Sequence, residues 1–166
     1  MNRWTRILQG ALVVLYFAYG SNMSWTQMRQ RCPAARFKCV AALRDHRLAF
    51  TRTSERWKGG VADVLPDSGK VVWGVVYEVS QADLDSLDGY EGFQEGRAAN
   101  DYTRGKIGVL DRGRTPRPLE AWIYRAVPQG KHFAPSAAYR DTILAGARHW
   151  KLPELYVEDL ERIEVK

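Results

Sequence analysis

Residues Ala11-Leu12-Val13-Val14-Leu15-Tyr16-Phe17-Ala18-Tyr19-Gly20-Ser21-Asn22-Met23 decide how the chain is read. Ala11 to Ala18 is apolar, with β-branched and aromatic residues, and predicts a buried strand. Gly20-Ser21-Asn22 then reads as a turn. Ser24-Trp25-Thr26-Gln27 has the capping-box pattern and predicts a helix from Ser24 to about Arg31, ended by Pro33. A strand that turns directly into a capped helix leaves backbone N–H groups without partners at the junction. Such groups suit a carboxylate or the oxyanion of an acyl-transfer intermediate. Gly20 would permit close approach or a positive φ. The same pattern also fits an ordinary strand-to-helix turn.

Upstream, Arg3 and Arg6 precede an apolar run that is uninterrupted only from Ala11 to Tyr19. A membrane span needs roughly 20 such residues, and no small-residue cleavage site follows. Residues 1–10 are expected to be a loosely ordered leader, residues 11–166 a single domain, and the location cytoplasmic. The 166 residues suit one core. At 45% hydrophobic and 27% charged the chain is neither disordered nor fibrous. Cys32 and Cys39 form no C-x-x-C pair, and His46, His132 and His149 are scattered, which argues against a structural zinc site. Cys32 beside Pro33 reads as an inert thiol. The net charge is +6, and residues 1–60 hold eleven Lys and Arg against two acids. That imbalance could face nucleic acid, a membrane surface or an anionic small molecule, or be a solvated basic face.

Downstream, Phe37–Leu43 and Arg47–Thr53 read as strands around an Arg44-Asp45-His46 turn. Gly60–Leu65 is a third, before the turn Pro66-Asp67-Ser68-Gly69. Val71–Val79 is apolar almost throughout, which predicts burial on both faces. Ser80 caps a helix with Leu84 and Leu87 inward. Tyr102–Leu110 and Leu119–Ala126 are further strands, and Ala137–His149 and Pro153–Ile163 further helices. Hairpins mixed with helices favour an α+β domain with a largely antiparallel sheet, able to curl into a barrel.

A second stretch, Leu87-Asp88-Gly89-Tyr90-Glu91-Gly92, places two acids near a helix end. A partly buried Glu91 would have a raised pKa and act as a better base. A solvated helix end is the plain alternative. Glu95-Gly96 repeats the dipeptide, so spacing alone does not choose between the two glutamates. No Walker loop and no G-x-G-x-x-G is present.

Taken in order, these stretches resemble the γ-glutamylcyclotransferase family, its AIG2-like branch included. Tyr16 to Asn22 match its opening Y-F-A-Y-G-S-N signature. Val72-Trp73-Gly74-Val75-Val76-Tyr77 match its V-x-G-x-V-Y strand, and Leu87 to Gly92 its L-D-x-x-E-G motif. Ala121-Trp122-Ile123-Tyr124 occupy the place of a late strand whose tyrosine lines the pocket. The resemblance covers roughly residues 13–165. It implies a small mixed, largely antiparallel β-barrel flanked by helices. It implies a transferase or lyase of glutathione metabolism that cyclises a γ-glutamyl amino acid or amine to 5-oxoproline. Glu91 would be catalytic. Tyr16, Phe17, Ala18, Tyr19, Gly20, Ser21 and Tyr124 would bind substrate, with Tyr102 a further candidate. No cofactor or metal is implied. The expected partner is a small γ-glutamyl substrate, with no nucleic acid and no membrane, and the chain a monomer or homodimer. The segment Arg97 to Asp101 departs from the family pattern and lengthens one pocket wall.

Overall fold

The structure is a computed structural model that describes residues 12–112 and 117–166. The expected leader, residues 1–10, lies outside the described residues. Strand β1 (Val13–Ala18) ends at a single 3-10 turn, Ser21–Met23, and helix α1 (Trp25–Arg31) follows. Two long strands, β2 (Arg36–Ser54) and β3 (Gly59–Ser80), form a hairpin. Helix α2 (Gln81–Glu91), a β4 (Tyr102–Asp111) and β5 (Leu119–Ala126) pair, and helices α3 (Ala137–His149) and α4 (Glu154–Glu161) complete the order. The strands close into a barrel in the order β1-β3-β2-β4-β5. Neighbours are antiparallel, except that β1 meets β5 in parallel at Tyr16 and Trp122.

The two turns expected at Arg44-Asp45-His46 and Pro66–Gly69 are instead irregularities inside β2 and β3. They face each other: His46 pairs with Pro66, the register shifts between Arg44 and His46, and the Gly69 N–H donates to Asp45 Oδ1 at 2.9 Å. Asp45 has φ 57. A residue of this type in the left-handed region suits a bulge as well as a turn. The four short strands read from the sequence are thus two long bent ones.

The core fills the barrel and the layer beneath the helices. Phe17, Met23, Met28, Val72, Tyr77, Leu84, Leu87 and Ile143 are fully buried, each worth about 1.5–3 kcal/mol of burial for its aliphatic or aromatic part. Val72, Val75, Val76, Tyr77 and Val79 are buried on both faces of β3, as its continuous apolarity predicts. Ser80 and Asp83 form a reciprocal capping box at the start of α2. No helix among the described residues is long and apolar enough to cross a membrane.

Candidate active site

The strand-to-helix junction is held rigidly from behind. The Tyr77 hydroxyl donates to the Asn22 carbonyl at 3.0 Å, and Trp150 Nε1 donates to the Met23 carbonyl at 2.9 Å. Ser24 accepts from the Gln27 N–H as its cap. The Gln27 side chain does not return to Ser24, as a full capping box requires. It donates to Ser21 Oγ at 2.8 Å and Asn22 Oδ1 at 3.0 Å.

In front of this junction lies a cavity of about 500 Å³, within the usual range for small-molecule sites. Tyr16, Tyr19, Gly20, Ser21, Glu91, Tyr102 and Tyr124 all line it. Phe17 and Ala18, the other two residues expected to bind substrate, are not on its wall. The Phe17 ring is fully buried and fills the space left by the missing side chain of Gly74. Gly20 has φ −113, so its role is clearance, not a left-handed backbone. A Cβ there would meet Ala62 Cβ and the Tyr139 hydroxyl, each at 3.2 Å.

Glu91 is the last residue of α2. Gly92 caps the helix at φ 61, in the left-handed region, where a Cβ would also run into Asp101 at 2.6 Å. Asp88, one turn earlier, accepts from the Tyr124 hydroxyl at 2.6 Å and from Arg104 at 2.7 Å. These contacts tie the end of α2 to β4 and β5, so Glu91 is presented to the cavity by a fixed helix end.

Asn22 is the hub of the inner wall. Its Oδ1 accepts from Arg31 Nη1 at 3.0 Å and from Gln27. Arginine can only donate, which fixes the amide orientation. Asn22 Nδ2 therefore donates to the Tyr16 hydroxyl at 2.9 Å and to Glu91 Oε1 at 3.2 Å. Tyr16 accepts there and keeps its own proton to give. Burial holds its phenol well above the usual range, so it stays protonated. The Arg31 guanidinium lies 3.9 Å from Glu91, too far for a hydrogen bond, and packs over the Tyr90 ring at 4.5 Å. Burial raises the Glu91 pKa to about 7, with Arg31, Asn22 and Arg56 offsetting only part of the effect. A carboxylate near neutrality can take a proton and return it. Glu95, the alternative glutamate, is exposed and off the cavity wall.

Tyr102 and Tyr139 converge on the backbone of Ala62. Tyr102 donates to the Ala62 carbonyl at 2.9 Å, and Tyr139 accepts from the Ala62 N–H at 3.0 Å. Tyr19 donates to the Tyr124 carbonyl at 2.6 Å. Sequence reasoning missed Arg31 and the hub role of Asn22. The apolar face of α1 hid the first, since Arg31 reads there as a helix-end cation. Asn22 lies in the quoted signature but reads as a turn residue. Cys32 is buried, with its thiol pushed up to about 12, which is the inert state expected for it.

Residues 71–160 match the family model described as AIG2-like. The chain is 36% identical over 157 residues to a γ-glutamylcyclotransferase of Mus musculus, covering 90% of this chain and 78% of that protein. It is 35% identical over the same length to a γ-glutamylcyclotransferase of Homo sapiens, with the same coverage. A solved γ-glutamyl cyclotransferase superposes with a TM-score of 0.84 at 34% identity, covering 93% of this chain and 89% of that one.

Proposed function

The chain belongs to the γ-glutamylcyclotransferase family and has that enzyme activity, and from this premise we propose that it converts a γ-glutamyl amino acid or amine to 5-oxoproline at the cavity beside Glu91. The observation that carries this reading is a carboxylate raised to about 7 at the inner end of the cavity. The substrate's α-ammonium is no nucleophile until it loses a proton, and Glu91 takes it. The freed amine nitrogen attacks the γ-carbonyl carbon and forms the C–N bond of a five-membered ring. The γ-amide C–N bond breaks as Glu91 returns the proton to the departing nitrogen, and Glu91 then carries to it the second proton that the ring nitrogen sheds on becoming the lactam N–H, so the amine departs as an ammonium. No water is consumed, and the atoms of the substrate are divided between 5-oxoproline and the free amine.

The oxyanion formed on attack needs donors set in advance. The proton of Tyr16 is suited to it. Holding the glutamyl chain folded back contributes through orientation, which is the office of the tyrosine wall. Purified protein incubated with a panel of γ-glutamyl amino acids and amines should release 5-oxoproline, measured by chromatography, from at least one of them. Absence of release across the panel, with the protein folded, would sink the reading.

A further inference from the structure

Among the described residues, three cations line the cavity: Arg31, Arg52 and Arg56. Two are engaged. Arg31 serves Asn22 and Glu91. Arg52 is paired with Asp101 and donates to the Val127 carbonyl at 3.1 Å. Arg56 differs from both: its charge reaches Glu91 and Arg31 only through space, without contact. It sits exposed in the β2–β3 turn at the open end of the cavity, and among the described residues no carboxylate lies within ion-pair reach of it. The neighbouring acid, Glu55, faces Lys58 at 3.8 Å instead. The Arg56 guanidinium carbon lies 5.8 Å from the centre of the Trp57 ring and 6.0 Å from that of Tyr90, and both rings line the cavity. Rings engage the flat faces of a guanidinium. Among the described residues the Arg56 N–H groups have no hydrogen-bond partner, and a guanidinium grips a carboxylate with two parallel hydrogen bonds.

The next step rests on the γ-glutamyl reading given above. The α-ammonium and α-carboxylate of a glutamyl group share one carbon. Anchoring the ammonium at Glu91 therefore places both at the inner end. The departing amine begins on the far side of the γ-amide and extends toward the open end, where Arg56 stands. The geometry points to Arg56 as a specificity-determining residue that receives a carboxylate carried by the departing amine. A γ-glutamyl amino acid is thereby favoured over an uncharged γ-glutamyl amine of the same shape.

The test compares γ-glutamylalanine with γ-glutamylalaninamide, which replaces the terminal carboxylate by a neutral amide of the same size. Both kcat/KM and, by calorimetry, Kd are measured. The wild-type protein should prefer the acid by about tenfold, through KM and Kd, the low end for a hydrogen bond to a charged group because Arg56 is exposed. Arg56→Gln should erase the preference, Arg56→Lys should keep part of it, and added salt should weaken it. Arg148→Gln removes one charge from α3 and serves as the net-charge control; it should keep the preference. Arg56 is exposed in a turn, so the variants should fold. An equal preference in wild type and Arg56→Gln, or none in wild type, overturns the assignment. Calorimetry separates this from the reaction itself. An Arg56-dependent preference in Kd without 5-oxoproline release would sink the cyclisation and leave Arg56 standing. Release from both compounds with equal KM would do the reverse, and binding of neither would overturn both.

Discussion

At the inner end of the cavity Asn22 bonds four side chains, those of Tyr16, Gln27, Arg31 and Glu91, and is itself only 3% exposed. At the mouth, Arg56 bonds no carboxylate among the described residues, and Glu55 and Lys58 meet loosely in solvent. The two ends have different physics. Inside, each polar group is desolvated and must be held by another, so one change propagates through the set. At the mouth, side chains are solvated and interact weakly, the Arg56 charge reaching Glu91 only through space. An inner wall of this kind suits the constant part of a substrate, the glutamyl group. A loose mouth suits the part that varies.

The most severe way to break the inner wall is to remove the charge of Glu91. Glu91→Gln keeps the shape and a hydrogen bond from Asn22, and removes the base. Turnover should fall by at least about 10²–10⁴-fold, measured as 5-oxoproline release, with substrate binding retained in part. A fully active Glu91→Gln would sink the assignment. In the wild type, kcat/KM should rise with pH through about 7, because the ionised form is the base. Stability should move the other way. The folded pKa lies above the ordinary value of 4.5, so the folded state holds this proton more tightly than the unfolded state does. The contribution is present below pH 4.5 and is lost as pH rises toward 7. Glu91→Gln should therefore gain stability relative to wild type between pH 5 and pH 8, by on the order of 2 kcal/mol. Thermal denaturation at the two pH values checks this, and a constant difference would show that Glu91 ionises as freely as in solution.

Asn22→Ala sharpens the contrast by deleting the hub and leaving the catalytic carboxylate in place. It leaves Arg31, Gln27 and Tyr16 short of partners. The cost should be on the order of 2–3 kcal/mol in stability, since orphaned buried groups lose their full desolvation energy. Turnover should fall by about tenfold or more as Glu91 loses its orientation. If Asn22→Ala were as stable as wild type, the inner wall would be no more cooperative than the mouth.

The same contrast explains what could be read from the residues alone. The inner wall comes from contiguous stretches, Tyr16 to Asn22 and Leu87 to Gly92, whose local chemistry of strand, turn, cap and helix end is visible without the fold. Val71–Val79 was legible for the same reason, as a continuous apolar run. Phe17 shows the limit of such reading. A matched motif names neighbours in sequence, but along a strand side chains alternate between faces, and Phe17 points to the core. The bends at Asp45 and Gly69 were legible as breaks and not as bulges, because turn residues serve both. Arg31, Tyr102 and Tyr139 reach the cavity from three separate elements, and Arg56 from a hairpin tip with no periodicity. Only closure of the barrel brings these together.

The smallest effect belongs to Glu95. It repeats the Glu-Gly dipeptide of Glu91 four residues later, and spacing does not separate the two. Their surroundings do. Glu91 ends a helix that is tied down through Asp88 to Tyr124 and Arg104. Glu95 lies beyond the Gly92 cap, exposed, in the segment before β4. Off the cavity wall there is no substrate proton within its reach. Glu95→Gln should stay within about 0.5 kcal/mol of wild type in stability, as exposed substitutions do, and within about twofold in kcat/KM. A large loss of turnover in Glu95→Gln with Glu91→Gln unaffected would exchange the two glutamates. It would also mean that this segment folds inward when substrate binds, and that the rigid inner wall is not where the proton moves.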